Sequence, residues 1–119
     1  MTTIIKDKAE TIYINHATAS YGIFCYNSYG DLFLNSDWGF YGYAWRNFGT
    51  DFKEFLSGCN ADYIIGKFAI NWNQNSKPRF GGDREKNIKI LVEEFLKELK
   101  MELAVPPKEI QNEFAPNEI

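Results

Sequence analysis

Residues of this 119-residue chain that could act as base, nucleophile or metal ligand are few and scattered. The one histidine, His16, is a candidate general base, because imidazole titrates near neutrality. No motif brings a Ser or Cys nucleophile to it, so it reads as a structural or solvated ring. Cys25 alternates with apolar positions and reads as a small buried residue. Cys59 follows Gly58 near a helix end; a reactive thiol needs a lowered pKa, and Lys53 is the only cation close by in sequence. Two cysteines 34 positions apart and a single histidine do not make a zinc spacing. Asp31, Asp37, Asp51 and Asp62 fall in turns and caps, where Asp serves the backbone, and they match no calcium loop. Gly81-Gly82-Asp83 before a helix is at best a weak anion nest, and its Asp repels anions. No P-loop or dinucleotide fingerprint is present. No catalytic, cofactor-binding or metal-binding residue is therefore assigned. A small enzyme would need His16 or Cys59 in a closed pocket beside an Asp or Arg.

The distinctive stretch is Tyr21 to Phe48, which holds eleven aromatics. Its sharpest feature is a stripe, Tyr41, Tyr43 and Trp45, on one face of a strand, with Phe40, Gly42, Ala44 and Arg46 on the other. Two readings stand. The stripe is core, covered by a helix, or it is exposed and able to stack nucleobases or anchor a protein partner. In the second reading Trp38, Tyr41, Tyr43, Trp45, Arg46 and Trp72 form the partner-binding set, flanked by Lys77 and Arg79. Gly42 and Ala44 would let a helix or another backbone approach the opposite face.

The elements that must position these residues follow from the periodicity. Residues 1–9 read as a flexible lead-in. Glu10–His16, Tyr21–Asn27, Leu32–Asn35 and Phe40–Arg46 alternate as strands, joined by Gly- and Asn-containing turns, which makes an antiparallel meander. Asp51 to Glu54 is a capping-box pattern opening a short helix that Gly58 ends. Asn60 caps a second short helix with Ile64, Ile65 and Phe68 on its apolar side, and close packing would explain Gly66 inside it. Asn71–Gly82 reads as a loop pinned by Trp72 and Phe80. Asp83 caps a long helix running to about Leu103, with Ile88, Leu91, Val92, Phe95, Leu96, Leu99 and Leu103 at three- and four-residue spacing. Pro106-Pro107 stops it. Residues 105–119 read as a flexible tail, or as a docking segment anchored by Ile110 and Phe114.

The expected fold is α+β: a four-stranded antiparallel β-meander, two short helices, and one long C-terminal helix packed on the sheet. Residues 10–104 form a single domain. A net charge of −3 argues against a broad grip on phosphate backbones. Two cysteines make no disulfide framework, Met1–Lys6 lacks an export signal, and no run is long enough to span a membrane. The expected setting is the cytoplasm.

Ser36-Asp37-Trp38-Gly39-Phe40-Tyr41-Gly42-Tyr43-Ala44-Trp45, then Phe52–Leu56 (FKEFL) and Asp62-Tyr63-Ile64-Ile65-Gly66-Lys67-Phe68, resemble a group of small accessory proteins encoded by phages and prophages. The resemblance covers about residues 21–70. It implies a non-enzymatic protein that binds host machinery; an inhibitor of a host defence complex, an anti-CRISPR for example, is one such role, acting by steric occlusion. The expected partner is a host protein. Single-stranded nucleic-acid binding by the aromatic strand is the alternative; no membrane partner and no cofactor are expected.

Overall fold

A computed structural model of the chain describes residues 1–75 and 81–104. The loop residues Lys77, Arg79 and Phe80, and the expected tail with Ile110 and Phe114, lie outside the described residues. Strands β1 (Ala9–His16), β2 (Ser20–Asn27), β3 (Asp31–Ser36) and β4 (Gly39–Ala44) pair antiparallel in the order β1-β2-β3-β4. Helices α1 (Phe52–Ser57), α2 (Ala61–Asn75) and α3 (Gly82–Ala104) follow. This is the expected α+β meander with its long last helix.

Each hairpin is closed by a side chain that satisfies turn backbone. His16 Nδ1 accepts from the N–H groups of Thr18 and Ala19 at 3.0 and 3.1 Å. Asn27 Oδ1 accepts from Tyr29 and Asp31 N–H. Ser36 Oγ accepts from Trp38 N–H and donates to the Gly39 carbonyl. Gly30 has φ of 101°, and a Cβ there would fall 1.9 Å from the Trp45 carbonyl oxygen, so glycine is required at that turn.

All three helices lie against one sheet face. α3 crosses β1 and β2, α2 lies beside β4, and α1 packs on α3. The central contact is a stack of Phe95 on Phe24, with ring centroids 4.2 Å apart and planes 8° from parallel. Gly22 lets α3 approach: a Cβ there would meet Leu91 at 3.0 Å. Tyr26, Leu32, Leu34, Tyr41 and Trp45 complete the sheet side of the core. Ile88, Leu91, Val92, Phe95, Leu96 and Leu99 supply the α3 side, as their spacing predicts.

Several details depart from the sequence reading. β4 ends at Ala44 because its partner β3 begins at Asp31; Trp45 N–H then bonds to the Gly30 carbonyl at 2.8 Å. α2 runs through Asn71 to Asn75, so Trp72 is helical and stands one turn beyond Phe68 on the same side. No Gly or Pro interrupts that stretch; its polarity alone had suggested a loop. α3 starts at Gly82, which puts Asp83 inside the first turn. Leu103 is exposed, because α3 overruns the core. Gly42 admits no helix: the Phe33 ring from the neighbouring strand lies over it, 2.9 Å from where a Cβ would be. A Cβ at Gly66 would meet nothing within 4 Å, so no packing contact accounts for that glycine.

Two outcomes follow. Gly66→Ala should stabilise the fold by about 0.5–1 kcal/mol, measured by urea unfolding; no gain or a loss would contradict the open surroundings of Gly66. Burial, then the hydrogen bond to Glu10 at 2.6 Å, pushes the Tyr26 hydroxyl far above the ordinary tyrosine value. The folded chain thus keeps this proton in alkali where the unfolded chain releases it. The associated stability is complete below about pH 10 and declines as pH rises further. Tyr26→Phe should flatten that alkaline decline, and an equally steep decline would count against it.

Candidate functional site

The helices determine which aromatics solvent reaches. Tyr41 and Trp45 are buried at 2% and 7% exposure, so the stripe expected as either core or binding surface is core. Trp45 packs its ring among Tyr43, Phe52, Phe55 and Tyr63 and donates from Nε1 to the Tyr63 hydroxyl at 3.0 Å. Base stacking on Tyr43 and Trp45 is excluded for Trp45 by this burial. Tyr43 is half-buried, with Lys67 Nζ 5.2 Å from its ring centroid.

Trp38 and Trp72 are also half-buried. Trp38 Nε1 donates to the Ala19 carbonyl at 2.8 Å, tying the β3–β4 turn to the β1–β2 turn. The Trp38 carbonyl accepts from the Tyr41 hydroxyl and from Arg84 Nη1. Arg84 stacks over Trp72, which leans on Tyr41. Arg46 bonds to Asp31 at 2.9 Å and to the carbonyls of Tyr29 and Trp45, clamping the β2–β3 turn to the end of β4. The six residues read from the sequence as a partner-binding set therefore divide between the core and the seams that hold it, with Arg46 the most open of them.

The other sheet face carries no helix. Its rows, read across the strands, are Thr11–Cys25–Phe33–Gly42 and Tyr13–Ile23–Asn35–Phe40, with Asn15–Tyr21 beyond. Tyr13, Phe33 and Phe40 are 65%, 42% and 62% exposed. Tyr13 lies diagonally against Tyr21 and Phe33 against Phe40, at 6.5 and 6.2 Å between centroids. These rows contain no charged side chain; the Asp31–Arg46 pair stands at one end. The hydrogen bond from Asn27, with help from Arg46, holds the Asp31 carboxyl below the usual range. An uncharged face with aromatics at its middle has the composition of a protein-interface core, from which charges are depleted.

The sequence reading put Phe40 on the face opposite Tyr41, Tyr43 and Trp45 and left open which of the two faces a helix covers, so it did not single out Phe33 and Phe40 as a surface. The available signal was that β3 and β4 carry large apolar residues on both faces, where a half-solvated strand would alternate with polar ones.

Among the described residues no Ser or Cys is hydrogen-bonded to His16; the Ser20 hydroxyl donates to the Asp37 carboxylate in exposed turns. His16 Nδ1 is occupied by its own turn. Cys59 lies half-buried with its thiol against the Phe55 carbonyl, and burial pushes the thiol pKa up, away from the thiolate. Lys53 bridges Glu102 at 2.5 Å and approaches Glu10 at 3.9 Å, joining α1 to α3 and β1. Among the described residues, no three His, Cys, Asp or Glu side chains are grouped to hold a metal ion. No helix among them is long and apolar enough to cross a membrane.

Residues 2–116 fit the model of a phage family, Phage_phiTE_072. No curated protein and no solved structure matches the chain.

The two faces should respond differently to truncation. Trp45→Ala should cost about 3–5 kcal/mol of stability, whereas Phe40→Ser should change it by less than about 1 kcal/mol. Urea unfolding of the two variants checks this, and comparable losses would contradict the assignment of faces.

Proposed function

The chain belongs to this phage family, and from that premise we propose a non-enzymatic protein-binding module that docks its uncovered sheet face on a host protein. The observation that carries the proposal is the pairing of exposed Tyr13, Phe33 and Phe40 on a face free of charged side chains. Large, rigid rings offer much contact area for little lost rotamer freedom, and such residues dominate interface energetics. The face lacks the Lys and Arg that a phosphate backbone demands, which favours protein over single-stranded nucleic acid. The commitment of His16 to its turn and the protonated state favoured for Cys59 support a role without chemistry.

The narrower reading is inhibition of a host defence complex of the CRISPR type in the host cytoplasm. A rigid sheet laid over a working surface would act by steric occlusion. Phage membership is what supports this reading.

The test compares the wild-type chain with the variant Tyr13→Ser, Phe33→Ser, Phe40→Ser as bait in host lysate. One protein should be retained by the wild type and lost from the variant at least about tenfold, as expected when interface aromatics worth about 2 kcal/mol each are removed. Equal retention by both would contradict the proposal. Retention of nucleic acid that weakens steeply with salt would replace it with the single-stranded reading. For the narrower reading, wild-type protein should relieve interference by the defence complex and the variant should not.

A further inference from the structure

We propose that the chain pairs with a second copy of itself along the outer edge of β1, antiparallel and centred on Tyr13. A sheet in the order β1-β2-β3-β4 has two edges, and this fold treats them differently. The β4 edge is taken up by α2, which lies beside it and sends the Asn71 amide to the Gly42 carbonyl at 2.6 Å. Among the described residues no backbone group bonds to the outer side of β1. An unpaired edge is a row of N–H and C=O groups ready to take another strand, and proteins that stay single blunt it with Lys, Pro or a bulge. Glu10–His16 has none of these. It contains no Lys or Pro, and the register of β1 with β2 runs unbroken from Ala9 to His16.

The occupant is a second copy because the strand is complementary to itself. A two-fold axis through Tyr13, perpendicular to the sheet, sets Ile12 against Ile14, Thr11 against Asn15 and Glu10 against His16, each pair occurring twice. That register keeps like with like on each face. On the helix side Ile12 and Ile14 are only half-buried against the core, and the second copy's isoleucines extend their cover. On the open side Tyr13, 65% exposed, meets its own copy, with the polar pair of Thr11 and Asn15 on either side. A shift by two residues sets Glu10 against Ile14 in one direction and His16 against Ile12 in the other, so the polar ends specify one register.

The match of Glu10 with His16 is its most specific part. His16 Nδ1 accepts from the Thr18 and Ala19 N–H groups, so the proton of the neutral ring stands on Nε2, where no described residue accepts it. Glu10 takes the Tyr26 hydroxyl on Oε1 at 2.6 Å and has Lys53 at 3.9 Å, yet its side chain is still 58% exposed. Directly opposed residues of an antiparallel pair have Cβ atoms about 5 Å apart, within reach of a bond from Nε2–H to the carboxylate. Each copy brings one donor and one acceptor, so the axis makes this bond twice. Pairing over Glu10–His16 also adds about six to eight backbone hydrogen bonds between the chains. The joined sheet keeps both helix layers on one side and both open faces on the other. This inference does not rest on the proposed function, because it concerns the sheet's edge and not what the open face binds.

Sedimentation equilibrium and disulfide crosslinking of the purified full-length chain test this with no other protein present. The wild type should sediment with the mass of two chains. The variant Thr11→Lys, Asn15→Lys should sediment with the mass of one, because like charges then face each other twice across the axis. Both positions are exposed, so its thermal melt should show a folded domain. The register is read by crosslinking in a Cys25→Ser, Cys59→Ser background. Tyr13→Cys should form a disulfide between copies on mild oxidation, since directly opposed Cα atoms lie about 4.5–5.5 Å apart. Thr11→Cys should do so at least about tenfold more slowly, its two copies lying about 13 Å apart along the strands. A single-chain mass for the wild type would overturn the proposal, as expected if the edge takes a strand of another protein. A two-chain mass that survives the lysine variant, or equally fast crosslinking at both positions, would overturn it too.

Discussion

The stack of Phe95 on Phe24 is the contact on which the rest of this molecule depends. It sets α3 across β1 and β2 on one side of the sheet, with Gly22 allowing the close approach of Leu91. Once that side is chosen, strand alternation decides the fate of every other sheet residue. Leu32, Leu34, Tyr41 and Trp45 go under the helices with Phe24 and Tyr26. Tyr13, Ile23, Cys25, Phe33 and Phe40 go to the opposite face, which the helices cannot reach because all three are already on the first. One packing decision thus creates both the core and the open face.

That asymmetry makes the uncovered face functionally informative. An antiparallel sheet commonly turns one face to water, and that face is then polar. Here it is aromatic and uncharged at its centre. Phe33 lies over Gly42, and beside it a pocket of about 430 Å³ opens at β4, lined by Phe33, Phe40, Gly42 and Asn71 among others. The polar work of the molecule is concentrated at its rims. His16, Asn27 and Ser36 hold the turns, Arg46 clamps one end, and Trp38 with Arg84 binds the other end to α3. Turns and ends held by side-chain bonds around an aromatic centre suit docking on a partner with little change of shape.

Much of this fold was legible because its signals are periodic. The four strands alternate, the seven apolar positions of α3 repeat with the helical period, and Asp51 and Asn60 cap α1 and α2 through their own side chains as read. What escaped were matters that periodicity cannot decide. Nothing in Tyr41, Tyr43 and Trp45 themselves says which sheet face a helix will cover; the choice is made by Gly22 and Phe24 two strands away. Asn71 and Trp72 looked like loop because of the polar residues around them, yet helix α2 continues while its apolar side, Ile64, Phe68 and Trp72, still finds Tyr41 to pack on. Arg46 and Trp38 read as surface residues available to a partner, but their hydrogen bonds are to carbonyls of distant turns, and such bonds leave no trace in sequence.

The account turns on a difference in access between two sets of rings on one sheet. Hydroxyl-radical footprinting of the free protein and of its complex with the captured partner measures that difference directly. The account predicts that Tyr13, Phe33 and Phe40 are modified readily in the free protein and protected in the complex, while Tyr41 and Trp45 are modified slowly in both. Ready modification of Tyr41 and Trp45 in the free protein, or protection in the complex confined to the helix layer, would contradict it.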